Sequence, residues 1–534
     1  MKTSPVQLSL PVVLVFAAAC GRSPAGSKPE VRLFTDLGSL HVPITTRSEP
    51  AQAYFDQGMR LTYAFNHGEA IRSFEEAARQ DPDCAICQWG IALAFGPNIN
   101  APMDSAGGVA AWRAVEQARR LIGTASPRER ALIEALGTRY AAVPPEARDG
   151  LDSAYATALA GVVAKFPDDL EAATLYAESL MDLRPWNYWN ADRSPAAGTE
   201  TLLHELERVV ARDSTHPGAC HFYIHAVEAA YPERALPCAE RLARLMPGAG
   251  HLVHMPAHIY VRVGRYADAI EHNEHATHAD SAFAAVERPS MTYAALYVPH
   301  NFHFLSFAAL LAGREATALT AARETVAKTP PEAMLGVPEY QPMLVFDRPV
   351  LAKFGRWQEL LERPLPSADF PVALGVAESF RGTALAATGR VAEAVKLLDS
   401  VTARAAATPE GIPRRILEIA RHSLAGEIAA RRHQLRVAEQ EFRAAMVIED
   451  GLGYMEPPWW ALPVRQALGA VLLEAGKPAE AERIYREDLV RFPKNVWSLA
   501  GLVRSLEARK SPGLEVARAE LAAAGGADIT GSHR

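Results

Sequence analysis

The chain has 534 residues, a net charge of −7 and a pI near 6.2. At the usual ~150 residues per compact domain this length implies several domains, unless the chain is built of repeats that pack only on their neighbours. Nothing in the weakly acidic balance supplies the basic stripe that a phosphate backbone requires, so nucleic acid is not an expected partner.

In chain order, the first signal is a targeting segment. Lys2 gives a positive start, Leu8 to Ala19 is apolar, and Ala17, Ala18 and Ala19 lead into Cys20 and Gly21. The apolar run is too short to span a bilayer and has the length of a signal-peptide core. Small residues running into a single cysteine resemble the lipobox of bacterial lipoproteins. That resemblance implies a signal peptide over 1–20, lipidation of Cys20, and an exported protein anchored to a membrane of the cell envelope or periplasm. Plain secretion, with cleavage after an alanine, is the alternative. Residues 21–45 begin with Gly, Ser and Pro and read as a flexible tether.

The body of the chain repeats. Gly58, Leu61, Ala70, Phe74, Ala77 and Pro82 recur at identical spacing as Gly469, Leu472, Ala481, Tyr485, Asp488 and Pro493. Gly426, Ala429, Ala438, Phe442 and Ala445 keep the same spacing, as do Gly382, Leu385 and Ala394. Small residues let two helices approach, an aromatic fills the gap, and a proline ends the second helix. This pattern resembles the tetratricopeptide repeat, a unit of two antiparallel helices. It implies an all-α, right-handed solenoid of helix-turn-helix units with a concave groove. We expect N-terminal units with an insertion over 46–167, central histidine-rich units over 168–330, C-terminal units over 331–508, and a frayed tail over 509–534. Aromatic segments interrupt the repeats at Trp186, Tyr188 and Trp189 and again at Tyr454, Trp459 and Trp460; they either rim a pocket or seal irregularities. Cys84 and Cys87 form a CxxC with no second pair to complete a zinc site. Cys220 and Cys238 fall on paired helices, where a disulfide or two buried thiols both fit.

Eleven of the 17 histidines lie between His216 and His303. His221 and His225 are four apart, as are His254 and His258; His251 precedes His254 by three, and His300 precedes His303 by three. Residues so spaced share a helix face. By the tetratricopeptide resemblance, His221, His225, His251, His254, His258, His300 and His303, together with Glu178 and Asp182, fall on groove-facing positions of four successive first helices. Imidazole with carboxylate suits zinc, copper, iron or manganese. The set exceeds what one ion needs, leaving room for two ions or for outer partners of one. The competing readings are an organic or peptide ligand held beside Tyr223, Tyr260, Tyr297 and Trp186, and a purely structural cluster. His272, His275 and His278 belong to a second helix and should face away, and His67 should shape its turn.

Phe65-Asn66-His67-Gly68, Gly96-Pro97-Asn98-Ile99-Asn100, His254-Met255-Pro256-Ala257-His258 and Glu456-Pro457-Pro458-Trp459 resemble segments of a family of bacterial tetratricopeptide-repeat proteins. The resemblance covers most of residues 50–505 and implies fold and site without implying a reaction. Two functions follow as expectations: a membrane-tethered module that binds a protein, peptide or small ligand in its groove with a metal at the histidines, and a metal-dependent hydrolase or oxidase built there. There is no HExxH, catalytic triad, phosphate loop or cofactor fingerprint.

Overall fold

The computed structural model describes residues 31–526, and within them the chain is all-α. Helices run in antiparallel pairs from Glu49–Tyr63 with His67–Gln80 to Val496–Ala508 with Leu514–Ala523. The Gly/aromatic spacing has a direct cause. A Cβ added at Gly58 or at Gly90 would meet the Phe74 ring at 2.5 Å, and one at Gly469 or Gly501 would meet the Tyr485 ring at 2.5 or 2.2 Å. Each aromatic therefore lies in a notch between two first helices, which only glycine leaves open. The signal-peptide and lipidation expectations at 1–20, and the tail from 527 onward, lie outside the described residues. No described helix is long and apolar enough to cross a membrane.

Two expectations are corrected, and the state of the cysteines, left open by the sequence, is fixed. From residue 31 the expected tether packs on the first unit: Phe34 N–H donates to Gln57 Oε1 at 2.8 Å and Val42 N–H to Asp56 Oδ1 at 2.9 Å, with Leu37 and Val42 buried. The expected frayed tail holds the helix Leu514–Ala523, which buries Ala517 and Leu521 against its partner. The CxxC forms a disulfide between Cys84 and Cys87 at the start of the helix Ala85–Ala94, whereas Cys220 and Cys238 are buried thiols with Sγ atoms 2.7 Å apart.

The groove is not an open trough. The ends of the solenoid fold back onto its middle. From the N-terminal side, the Tyr63 carbonyl accepts from His221, Arg72 pairs with Glu287 at 3.0 Å, and Gly248 N–H donates to the Asp36 carbonyl. From the C-terminal side, Tyr266 Oη donates to the Pro493 carbonyl at 2.8 Å and Trp497 Nε1 to the Leu310 carbonyl at 2.7 Å. This closure puts the histidines in the interior.

Candidate metal centre

The centre is built by three successive first helices. Pro217–Val227 starts with its proline at the position where no N–H is needed, is capped by His216 Nδ1 accepting from Ala219 N–H, and carries His221 and His225. The second helix, Gly250–His254 continued as Pro256–Arg262, is interrupted because Pro256 has no N–H to donate, and carries His251, His254 and His258. The third, Met291–Leu311, carries His300. His221, His225, His251, His254 and His258 are at most 2% exposed; His300 is half-buried.

Hydrogen bonds fix which nitrogen carries the proton in four of the six rings. His221 Nδ1 lies 2.7 Å from the Tyr63 carbonyl, which only accepts. His225 Nδ1 and His258 Nδ1 lie 2.9 and 2.6 Å from the two oxygens of Glu228. Burial alone would push Glu228 up; His258 and His225 more than reverse this and hold it at about 2, so it too only accepts. His254 Nδ1 lies 2.7 Å from Asn273 Oδ1, an amide oriented by its own donation to the Ala269 carbonyl. In all four rings the N–H is on Nδ1 and the lone pair is on Nε2.

The Nε2 atoms converge. His254 Nε2 and His258 Nε2 are 2.8 Å apart, and His300 Nε2 is 3.1 Å from His254 Nε2. His251 Nε2 is 3.2 Å from His221 Nε2, and His225 Nε2 is buried with no hydrogen-bond partner. Two trios each offer ligand atoms within 4.8 Å of one another: His221, His225, His251, and His254, His258, His300. Burial, then the neighbouring imidazoles, push His221, His251, His254 and His300 well below the usual histidine range, which favours their neutral form. A third close trio, His225, Glu228 and His258, is a buttress, because its contacts use the N–H side of both rings.

Other expected site residues separate from this centre. His303 packs edge-on against Phe346, with ring centroids 4.1 Å apart, and burial lowers it to about 3. Glu178 and Asp182 lie beside Arg139, which is 1% exposed and ion-pairs with Asp182. Burial raises both acids, Asp182 to about 6. Tyr223 donates to Glu207 at 2.7 Å, and Tyr260 lies against His272 and under Arg265, so neither faces the histidines. Tyr297 does: its ring is 4.7 Å from His251 and its hydroxyl lies beside Asn98 and Asn100. Trp186 packs edge-on to His225 at 4.9 Å while its Nε1 donates to the Ile99 carbonyl. His275 and His278 are exposed, as expected, and His272 is half-buried.

Sequence reasoning missed four participants. Glu228 follows His225 by three residues and accepts from both His225 and His258. Asn273 sits on a second helix. Glu456, in the 451–463 loop, is 4% exposed, lies near His258 and Arg262, and is raised by burial to about 7. Phe65 lies within 4.6 to 6.4 Å, ring to ring, of His221, His251, Tyr297 and His225. Only Glu228 had a local signal, its three-residue distance from His225.

No protein-family model matches the chain, and no curated protein does. Among solved structures, the human IFIT1 dimer with m7Gppp-AAAA has a TM-score of 0.38 at 11% identity, over 90% of this chain and 91% of that one. Yeast Tom70 has a TM-score of 0.30 at 10% identity, over 89% and 93%. The Cut9–Hcn1 hetero-tetramer has a TM-score of 0.30 at 12% identity, over 91% and 76%. Likenesses this distant carry no argument about the site; the succession of helix pairs itself makes the chain an all-α solenoid of tetratricopeptide type.

Proposed function

We propose that this chain is an exported, membrane-anchored tetratricopeptide-type solenoid whose interior binds a transition metal. One observation carries the metal: His254 and His258 are both locked with the N–H on Nδ1, so their Nε2 lone pairs face each other across 2.8 Å, with His300 Nε2 3.1 Å from His254 Nε2 and His251 Nε2 3.2 Å from His221 Nε2. Facing lone pairs repel, and a cation turns that repulsion into ligation. Imidazoles held by a carboxylate, a carbonyl and an amide have the outer support that metal-binding histidines use. Purified without a histidine tag, the protein should contain near-stoichiometric zinc, copper, iron or manganese. His221→Ala and His254→Ala should keep helical circular dichroism and lower the metal content. Unchanged metal in both variants would falsify the ligand assignment.

Enclosure favours chemistry at the metal over display of an open protein-binding groove. Phe65, Trp186 and Tyr297 cover the rings, as a reaction shielded from water requires. On this reading the protein is a metal-dependent oxidase or hydrolase. Oxygen uptake by the copper-loaded protein supplied with a reductant tests the oxidase branch; no uptake above that of free copper removes it.

The anchor rests on Cys20 and the small residues before it. Cys20→Ala should move the protein from the membrane fraction to the soluble fraction of cells. Unchanged fractionation would exclude lipidation at this residue.

A further inference from the structure

We propose that the centre takes a pair of copper ions, one on His221, His225 and His251 and the other on His254, His258 and His300, with Glu228 holding one ring of each trio. This rests on the metal-binding reading above and specifies its number and kind.

The pair follows from how the donors divide. The two trios share no residue, and each is complete by itself. His251 and His254 neighbour each other on one helix but go to different trios. A step of three residues turns ~300° around a helix and so leaves side chains ~60° apart. Glu228 cannot serve as a ligand without releasing a ring, because one oxygen accepts from His225 and the other from His258. It therefore ties the trios together from behind. Nitrogens on a common tetrahedral ion lie ~3.3 Å apart at ~2.05 Å per bond. The three shortest pairs here, at 2.8, 3.1 and 3.2 Å, need to part by only a few tenths of an ångström, and the remaining donors of each trio lie within 4.8 Å.

The choice of copper follows from donor type and charge. Neither trio contains an oxygen donor, which disfavours magnesium, calcium and manganese, and neither supplies the carboxylate of the usual two-histidine iron site. Of zinc and copper, Cu(II) stands above Zn(II) in the divalent affinity order, and Cu(I) accepts the three-coordinate, all-imidazole set that each trio offers. Among the described residues, Glu228 is the one carboxylate hydrogen-bonded to these rings, with Glu456 close by. Two divalent ions would bury far more positive charge than these acids offset. Two Cu(I) ions carry half that positive charge, and buried charge is costly unless it is matched.

The test uses the intact chain without a histidine tag, stripped of metal and titrated with Cu(I) under anaerobic conditions against a chromophoric chelator, and separately with Zn(II). We expect saturation at two copper ions per chain. His251→Ala and His300→Ala should each retain one. Glu228→Gln should retain two with affinity lowered 10- to 100-fold. Saturation at one copper, lost in both trio variants or in only one, overturns the pair and leaves the single-metal reading standing. Zinc filling two positions more tightly than copper overturns the choice of metal. No binding of either ion overturns the metal reading as well. The wild-type count decides between one and two ions even if a variant fails to fold, and His251→Gln offers a less disruptive change at that position.

Discussion

Replacing Arg139 with methionine should cost about 3–5 kcal/mol at pH 8, the usual penalty for removing one partner of a buried ion pair. Arg139 is 1% exposed, ion-pairs with Asp182 and Asp152, and lies over the Tyr155 ring at 4.8 Å. Without its guanidinium, Asp182 and Glu178 are two buried acids with no cation. The cost should shrink with acidity. Burial already raises Asp182 to about 6, with Arg139 pulling it down, and Glu178 is raised by burial and by Asp182. A carboxyl raised in the folded state binds more protons there than in the unfolded chain. Its contribution to stability therefore rises as pH falls through about 6 and levels off below the unfolded value near 3.8. Arg139→Met raises both acids further, so at pH 5 much of the penalty should be recovered by proton uptake. Denaturant midpoints for wild type and variant at pH 8 and pH 5 decide it. A loss of the same size at both pH values would show that packing of the Arg139 stem, rather than its charge, dominates.

That cluster also shows where the sequence stops being readable. Glu178 and Asp182 have the right spacing to share a face, and they do. What they face was not visible, because Arg139 lies in a region without clear repeat punctuation and reaches them only after several helices have packed. The repeat itself was legible because its rules are local: a glycine notch, an aromatic to fill it, a proline to stop the helix. Six of the seven histidines were legible for the same reason, since spacings of three and four fix faces within one helix. His303 failed on the same arithmetic that splits His251 from His254. Three residues beyond His300, it is rotated far enough to meet Phe346 of the next segment. Glu456 and Phe65 come from opposite ends of the solenoid, and only its closure brings them to the centre. Tyr223 and Tyr260 show the converse error, since a tyrosine beside a histidine in sequence points to another side of the helix.

Phe65→Gly should destabilise the protein by about 2–4 kcal/mol, although it relieves backbone strain. Phe65 has φ +55°, in the turn between the two helices of its unit. Five matching turns use Gly264, Gly313, Gly355, Gly389 and Gly476, with φ from +67° to +83°, while His433 and Lys510 hold the same conformation at φ +57° and +51°. An L-residue in that conformation costs about 1–2 kcal/mol, which glycine would return. Against this, Phe65 is 4% exposed, and truncating a buried phenylalanine costs about 3–5 kcal/mol. Glycine also adds freedom to the unfolded chain, which works in the same direction. The packing term wins, and this unit keeps a strained aromatic where five other units keep glycine because the ring fills the space over His221, His251 and Tyr297. A denaturant midpoint that rises in Phe65→Gly would mean that the ring contributes less than the turn costs. A second readout separates cover from simple stability. If Phe65 shields the centre, an external chelator should strip metal faster from Phe65→Gly than from Gly469→Ala, a core substitution in a remote unit where a Cβ meets the Tyr485 ring at 2.5 Å. Equal stripping rates at matched stability would assign Phe65 to the core and leave the cover to Trp186 and Tyr297.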